Sequence, residues 1–351
     1  MNRLDRYVIR HIAELTGIVA LALLAIYTFV VFVSDIGDTG GKSGFGIPQL
    51  MAYTALMVPS SLYILMPIIA LLGTMLGIGI LARQSELTAM RAAGVSLMRI
   101  GAATLAAGAA LGLLTIVLGD WLAPAGEHAA NDLRDRARGV SPLRSVWLRD
   151  GRNVVQIRNL LAEDRVGNIV VYRLDDSGRI ADVLTADAGQ YLGDHWQLTK
   201  VRQSHFTSNR IDVSAVPQTD LGGTLNPSVL RLFILEEDSL SFHGLSRLID
   251  YLRENHLDFS KYEIQLWRKI VEPFTVMVMM LFAVPFVIGQ VRDTGAGQRL
   301  LAGALVGIVF YVVNKVSLSY GALYHWPAPI AAGIPTMLLA AVAMWRLLRV
   351  R

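Results

Sequence analysis

The chain has 351 residues, of which 53% are hydrophobic and only 17% charged, with a mean hydropathy of +0.46; a soluble chain carries roughly 25% charged residues. A formal charge of +4 without a dense basic stripe argues against nucleic-acid binding, and the absence of cysteine excludes disulfides and thiolate metal sites. Such an apolar excess indicates a membrane protein only if it gathers into runs long enough to cross a bilayer.

It does. After MNRLDRYVIRHIAELTG, the stretch from Leu15 to Val33 carries no charge. At about 19 residues it is longer than a signal-peptide core and no A-x-A-like site follows, so it is expected to be a retained transmembrane helix. Asp35 to Gly44 then reads DIGDTGGKSG, close to the nucleotide loop G-x-x-x-x-G-K-[ST]. Ile36 stands where the first glycine belongs, and an apolar helix precedes the stretch in place of a strand. The expectation is a solvated Gly-rich turn, in which Lys42 can meet an anionic head group.

The next apolar run lies between Gln49 and Ala82 and is long for one span. Pro59 and Pro67 in its first half indicate a kinked helix, or an interfacial segment leading into a helix. Arg83 to Arg99 follows as RQSELTAMRAAGVSLMR. Leu87, Met90 and Ala93 recur at helical spacing, with Ser85 placed to cap a short helix and Gly94 to end it. Such a helix can lie in the interface, simply join two spans, or dock on a partner with Glu86 or Arg91 pairing at the rim.

A third run, Ile100 to Gly119, precedes a long segment of different texture, about 125–272. Short β-rich runs at 146–149, 153–158, 169–172 and 195–201 alternate with turn clusters, which indicates an antiparallel sandwich or roll. Phe242 to His256 is amphipathic, with Leu245, Leu248, Ile249 and Leu252 on one face, and Ser260 to Glu263 fits a capping box. Three further spans are expected at Pro273–Val291, Leu300 to about Leu323, and Pro327–Trp345. Lys315 lies roughly 22 Å into the fifth span, where it can snorkel, pair with a carboxylate, or line a substrate path. Gly73/Gly77, Gly108/Gly112 and Gly303/Gly307 permit close helix packing.

Arginines gather on one side of these spans: Arg3, Arg6 and Arg10; Arg83, Arg91 and Arg99; Arg292 and Arg299; Arg346, Arg349 and Arg351. Both termini are therefore expected in the cytoplasm, and the β-rich segment on the opposite side. The seven histidines are scattered, with no H-E-x-x-H or G-x-S-x-G pattern, so no catalytic or metal site and no cofactor is expected.

The segment SELTAMRAAGVS, the run from Gly119 to Glu127 (GDWLAPAGE), the opening Leu4 to Tyr7 (LDRY) and the stretch from Tyr262 to Ile270 (YEIQLWRKI) resemble the LptF/LptG family. These are the paired permease subunits of the ABC-type exporter that extracts lipopolysaccharide from the inner membrane of Gram-negative bacteria. The resemblance covers essentially the whole chain. It implies a membrane α-helical fold of six transmembrane helices with an inserted all-β, β-jellyroll-like periplasmic domain. The division is then 1–124 for spans 1 to 3 with a coupling helix at about 84–94, 125–265 for the β domain, and 266–351 for spans 4 to 6.

The resemblance further implies partners: an LptF-type permease forming a heterodimer, two copies of an LptB-type ATPase, and an LptC-type single-span protein. Glu86, Leu87, Met90 and Arg91 would meet the ATPase, Glu86 as the acidic contact. Lys42, Arg134, Arg136 and Lys315 would meet lipopolysaccharide, whose phosphates suit ammonium and guanidinium groups. The family carries lysines at the end of span 1, and this chain has no basic residue between Val31 and Asp38. The implied activity is transport without a catalytic site of its own. Alternatives are the paired LptF-type subunit, a membrane-anchored envelope enzyme, against which the missing catalytic set counts, or a sensor, which would need a cytoplasmic output segment.

Overall fold

The computed structural model describes residues 3–39, 46–138, 146–162, 164–175, 177–207, 210–222, 227–234, 240–289 and 295–349. In chain order the helices are α1 (Arg3–Thr39), α2 (Ile47–Leu56), α3 (Val58–Arg83), α4 (Glu86–Ala92), α5 (Leu97–Val117), a π-helical turn at Leu118–Leu122, and α6 (Ala123–Arg138). Six strands follow: β1 (Val146–Asp150), β2 (Asn153–Ala162), β3 (Arg165–Leu174), β4 (Ile180–Tyr191), β5 (His195–Thr207) and β6 (Arg210–Gly222). The chain then forms α7 (Pro227–Ile234), α8 (Phe242–Glu254), α9 (Ser260–Gly289), α10 (Ala296–Leu323) and α11 (Ala328–Arg349). Two compact units result. One gathers the helices on either side of the insertion, and the other runs from Asn131 to Tyr262.

In the helical unit, six helices among the described residues are long and apolar enough to cross a membrane, as expected. The long run after Gln49 divides at Met57 into α2 and α3, and Pro59 lies in the first turn of α3, where a missing N–H costs nothing. α3 is apolar on every face, the composition of a helix surrounded by others. Accordingly 72% of its span is buried, against 11% for the spans in α1 and α10. Glycines set how near its neighbours come. A Cβ on Gly73 would collide with Thr16 of α1, and one on Gly303 of α10 would meet Met75 Sδ at 2.6 Å. Gly112 of α5 likewise faces the Pro273 carbonyl of α9, so all three glycine pairs serve packing within the chain.

Among the described residues, the β unit holds one antiparallel sheet whose six strands lie in chain order, each paired with the next. Val155 and Ile157, Ile169 and Val171, and Leu184 and Ala186 are buried at alternate positions, the period that puts one face of a sheet inside. The period shifts by one at Lys200, which adopts φ +53°, so that Leu198 and Val201 are both buried. Ser241 caps α8 by accepting the Gly244 N–H at 3.1 Å, and Leu245, Leu248, Ile249 and Leu252 are buried as their spacing predicts. At the entry to α9, the Asp258 carboxylate accepts the Ser260 N–H at 2.9 Å, upstream of the expected capping box.

Candidate coupling site and substrate-facing residues

α4 ends as its sequence indicates but starts differently. Gly94, at φ +88°, stands just past the helix; its N–H bonds Arg91 O and the Val95 N–H bonds Met90 O, both at 3.0 Å. This is the Schellman closure that a glycine in left-handed conformation permits. Ser85 is no side-chain cap: it adopts φ +60°, and its carbonyl serves the helix instead, accepting from Ala89 N at 2.9 Å. The reason is the short path from α3, which turns through Gln84 and Ser85 without room for an extended N-cap residue.

Within α4, Leu87 is 5% exposed and belongs to the core that includes Val8, Leu81, Leu97 and Ile100, with Met90 packed against its edge. Arg91 is exposed and Glu86 half-buried. The apolar pair therefore fixes the helix to the chain, and Arg91 and the second carboxylate oxygen of Glu86 stand at the rim of that contact. The first turns of α1 hold both ends of this loop. Tyr7 Oη donates to Glu86 Oε2 at 2.8 Å, and Arg99 donates from Nε to Asp5 Oδ1 at 3.1 Å and from Nη2 to Oδ2 at 3.4 Å. In the sequence Asp5 and Tyr7 are visible only as part of a motif; nothing local announces partners so far along the chain.

Lys315 is exposed on α10, where Leu301, Leu305, Ile308, Val312 and Val316 form an outward apolar stripe. Among the described residues it has no carboxylate partner, so the ion-pair reading has no support. Arg134 lies on α6 and is half-buried. Arg136 falls in the same helix, but its side chain is outside the described residues, as is Lys42 altogether. Lys315 belongs to the helical unit and Arg134 to the unit that runs from Asn131.

One feature has no sequence signal. The π-helical turn at Leu118–Leu122 lies in the GDWLAPAGE run and its approach, and Lys269 of the YEIQLWRKI stretch donates to the Gly119 carbonyl at 2.5 Å while standing 5.7 Å from the Tyr63 ring centroid. Gly119 packs so tightly on Tyr63 that a Cβ would enter its ring. Wide turns of this kind release carbonyls from the helix ladder and concentrate at functional positions. Here an ammonium takes one of them.

Comparison with known proteins gives a family match, to the lipopolysaccharide export system permease LptF/LptG, over residues 6–349. A lipopolysaccharide export system permease protein LptG of Escherichia coli strain K12 is 31% identical over 353 residues, 99% of this chain and 98% of its own. The protein of the same name from Haemophilus influenzae is 32% identical over 357 residues, 100% of this chain and 99% of its own.

Proposed function

The chain belongs to the LptF/LptG family of lipopolysaccharide export permeases, and we propose that it works by coupling ATP hydrolysis in a cytoplasmic LptB-type ATPase to lateral movement of its least-buried spans. It is a multi-pass inner-membrane permease subunit for lipopolysaccharide, and the family implies an LptF-type subunit as its pair. In this reading two ATPase copies are engaged, one through α4 of this chain. Both termini lie in the cytoplasm and the β unit in the periplasm, where it passes lipid onward beside an LptC-type protein. Hydrolysis belongs to the ATPase, and this chain supplies the moving walls.

The observation that carries this reading is the make-up of α4: Leu87 and Met90 seal it to the core while Glu86, half-buried, and Arg91, exposed, flank them at the rim. A helix held by Leu87 and Met90, with charges at the rim of that contact, transmits a push into α3, the most buried span. Spans 1 and 5 are the least buried, and α10 carries Lys315 without a carboxylate partner among the described residues. Those faces suit acyl chains with a cation for phosphate, as lateral entry between spans 1 and 5 requires. Arg134, Arg136 and Lys42 are the other candidates for head-group contact.

The test is co-purification. The wild-type chain with its membrane pair retains the ATPase subunit, and Glu86→Ala lowers the retained amount at least about tenfold, the scale for losing a charge-assisted contact. Equal retention by wild type and Glu86→Ala would remove Glu86 from the interface.

A further inference from the structure

From sequence, Arg299 reads as one of the arginines of the cytoplasmic flank. The structure corrects its setting: it lies near the start of α10 and is 2% exposed, buried against α3. Its Nη1 donates to the Gly79 carbonyl at 2.8 Å, its Nε is buried with no acceptor, and no carboxylate pairs with it among the described residues. The like charge of Arg83, in the last turn of α3, opposes it further. A buried guanidinium with one donor idle and no counter-charge among the described residues is in a costly setting. The fit is close at the backbone of α3: a Cβ on Gly79 would stand 2.5 Å from Nη1, so any larger residue there must shift the guanidinium.

The position gives this contact a task. Gly79 stands in the last turns of α3, directly ahead of α4, while Arg299, Gly303 and Gly307 share the face of α10 that packs on α3. The opposite face of α10 carries the unburied apolar stripe and Lys315. Arg299 is therefore a polar link between the helix that receives the push and the span that borders the lipid. Further along the seam, Gly303 and Gly307 face Leu72, Met75 and Ile68, an apolar contact with no directional bond to hold its register. A guanidinium with one prong engaged and one idle can pass from the Gly79 carbonyl to another as the helices shift by about one residue rise, ~1.5 Å.

We infer that Arg299 is a positioning residue that transmits movement of α3 to α10, so that hydrolysis and lipid release stay in step. This role rests on the exporter reading, in which α4 receives the drive.

The experiment reconstitutes the full chain with its membrane pair and the ATPase in liposomes and measures lipopolysaccharide released per ATP hydrolysed. Arg299→Leu is expected to assemble and hydrolyse ATP within about twofold of wild type, while release per ATP falls at least about tenfold, the floor for losing a hydrogen bond to a charged group. Gly79→Ala, whose Cβ displaces Nη1 while Arg299 itself remains, is expected to shift the ratio in the same direction. Arg299→Lys, whose ammonium reaches the carbonyl, restores most of the ratio. An unchanged ratio in Arg299→Leu and Gly79→Ala overturns the inference, as does a parallel fall of assembly, hydrolysis and release, which marks an ordinary packing role. Wild type without ATP-dependent release overturns the exporter reading itself, an outcome distinguishable because no variant is then involved.

Discussion

The phenol of Tyr7 donates a 2.8 Å hydrogen bond to Glu86 Oε2, joining residues 79 positions apart. Tyr7 is 44% exposed, so water competes for the carboxylate and the bond adds little to stability. In the proposed coupling role its effect is to orient Glu86 for the ATPase. Tyr7→Phe should leave the apparent melting temperature within about 2 °C and weaken ATPase binding about three- to fivefold, one neutral-scale hydrogen bond. Titration of the reconstituted membrane pair with the ATPase subunit reads both this and the larger loss in Glu86→Ala.

Leu87 acts differently from Glu86. Truncation to Ala at a 5% exposed position removes the anchor of α4 and should cost about 2–5 kcal/mol. Thermal unfolding in detergent should show that loss in the isolated chain, whereas Arg91→Ala, on the exposed face, should show almost none.

Lys315 gives the complementary case of a cation whose removal does not destabilise. With no carboxylate partner among the described residues, Lys315→Ala should keep stability within about 0.5 kcal/mol. A photo-crosslinker at 315 should give a lipopolysaccharide adduct that ATP depletes. No adduct above background would take Lys315 out of the lipid path.

In the β unit, Tyr251 is 4% exposed and donates to the Arg149 carbonyl at 2.8 Å. Burial, and then the charge of Asp150, push its phenol well above the ordinary value. The folded form therefore keeps a proton that the unfolded form releases above pH about 10. Its stabilising contribution is complete below that pH and declines as pH rises beyond it toward the folded value. Ultraviolet titration between pH about 9 and 11 should accordingly be the same for folded wild type and Tyr251→Phe, and should differ by one tyrosine after denaturation.

The spans are legible in the sequence because bilayer length leaves an unmistakable run of uncharged residues, and the end of α4 because Gly94 tolerates φ +88° where a side chain would be strained. β1, β2, β3 and β5 announce themselves by short β-rich runs between turn clusters. β6 does not: it is an edge strand, exposed along almost its whole length, with Pro217 inside it, so no buried face marks its period. In β4, Asp182, Thr185, Asp187 and Gly189 interrupt the apolar pattern, and Leu184 and Ala186 supply its buried apolar side chains. That strand forms because β3 and β5 pair with it on both sides, more than because its own residues favour an extended chain.

The contacts that define the candidate site are less legible still. Tyr7 with Glu86, Asp5 with Arg99, Lys269 with Gly119 and Arg299 with Gly79 all join separate helices. Local periodicity carries no information about which helix packs on which, so a charge such as Arg299 reads as a loop cation until its neighbours are in place.

Lys269 offers a check on the π-helical turn at Leu118–Leu122. Lys269→Met leaves the Gly119 carbonyl without its ammonium and should cost about 1.5–3 kcal/mol. Gly119→Ala, whose Cβ meets the Tyr63 ring, should cost about 1–3 kcal/mol by overpacking. Apparent melting temperatures of the two variants and their combination measure whether they disturb the same contact, in which case the double variant is less destabilised than the sum.

Coupling through α4 is tested most directly by ATP-driven release of lipopolysaccharide from liposomes holding this chain, its membrane pair and the ATPase, compared between wild type and Glu86→Ala. Steady release is expected with wild type and a fall to the ATP-free background with Glu86→Ala, while the variant chain keeps its melting temperature. Release at the wild-type rate from the Glu86→Ala assembly would contradict a coupling role for this helix.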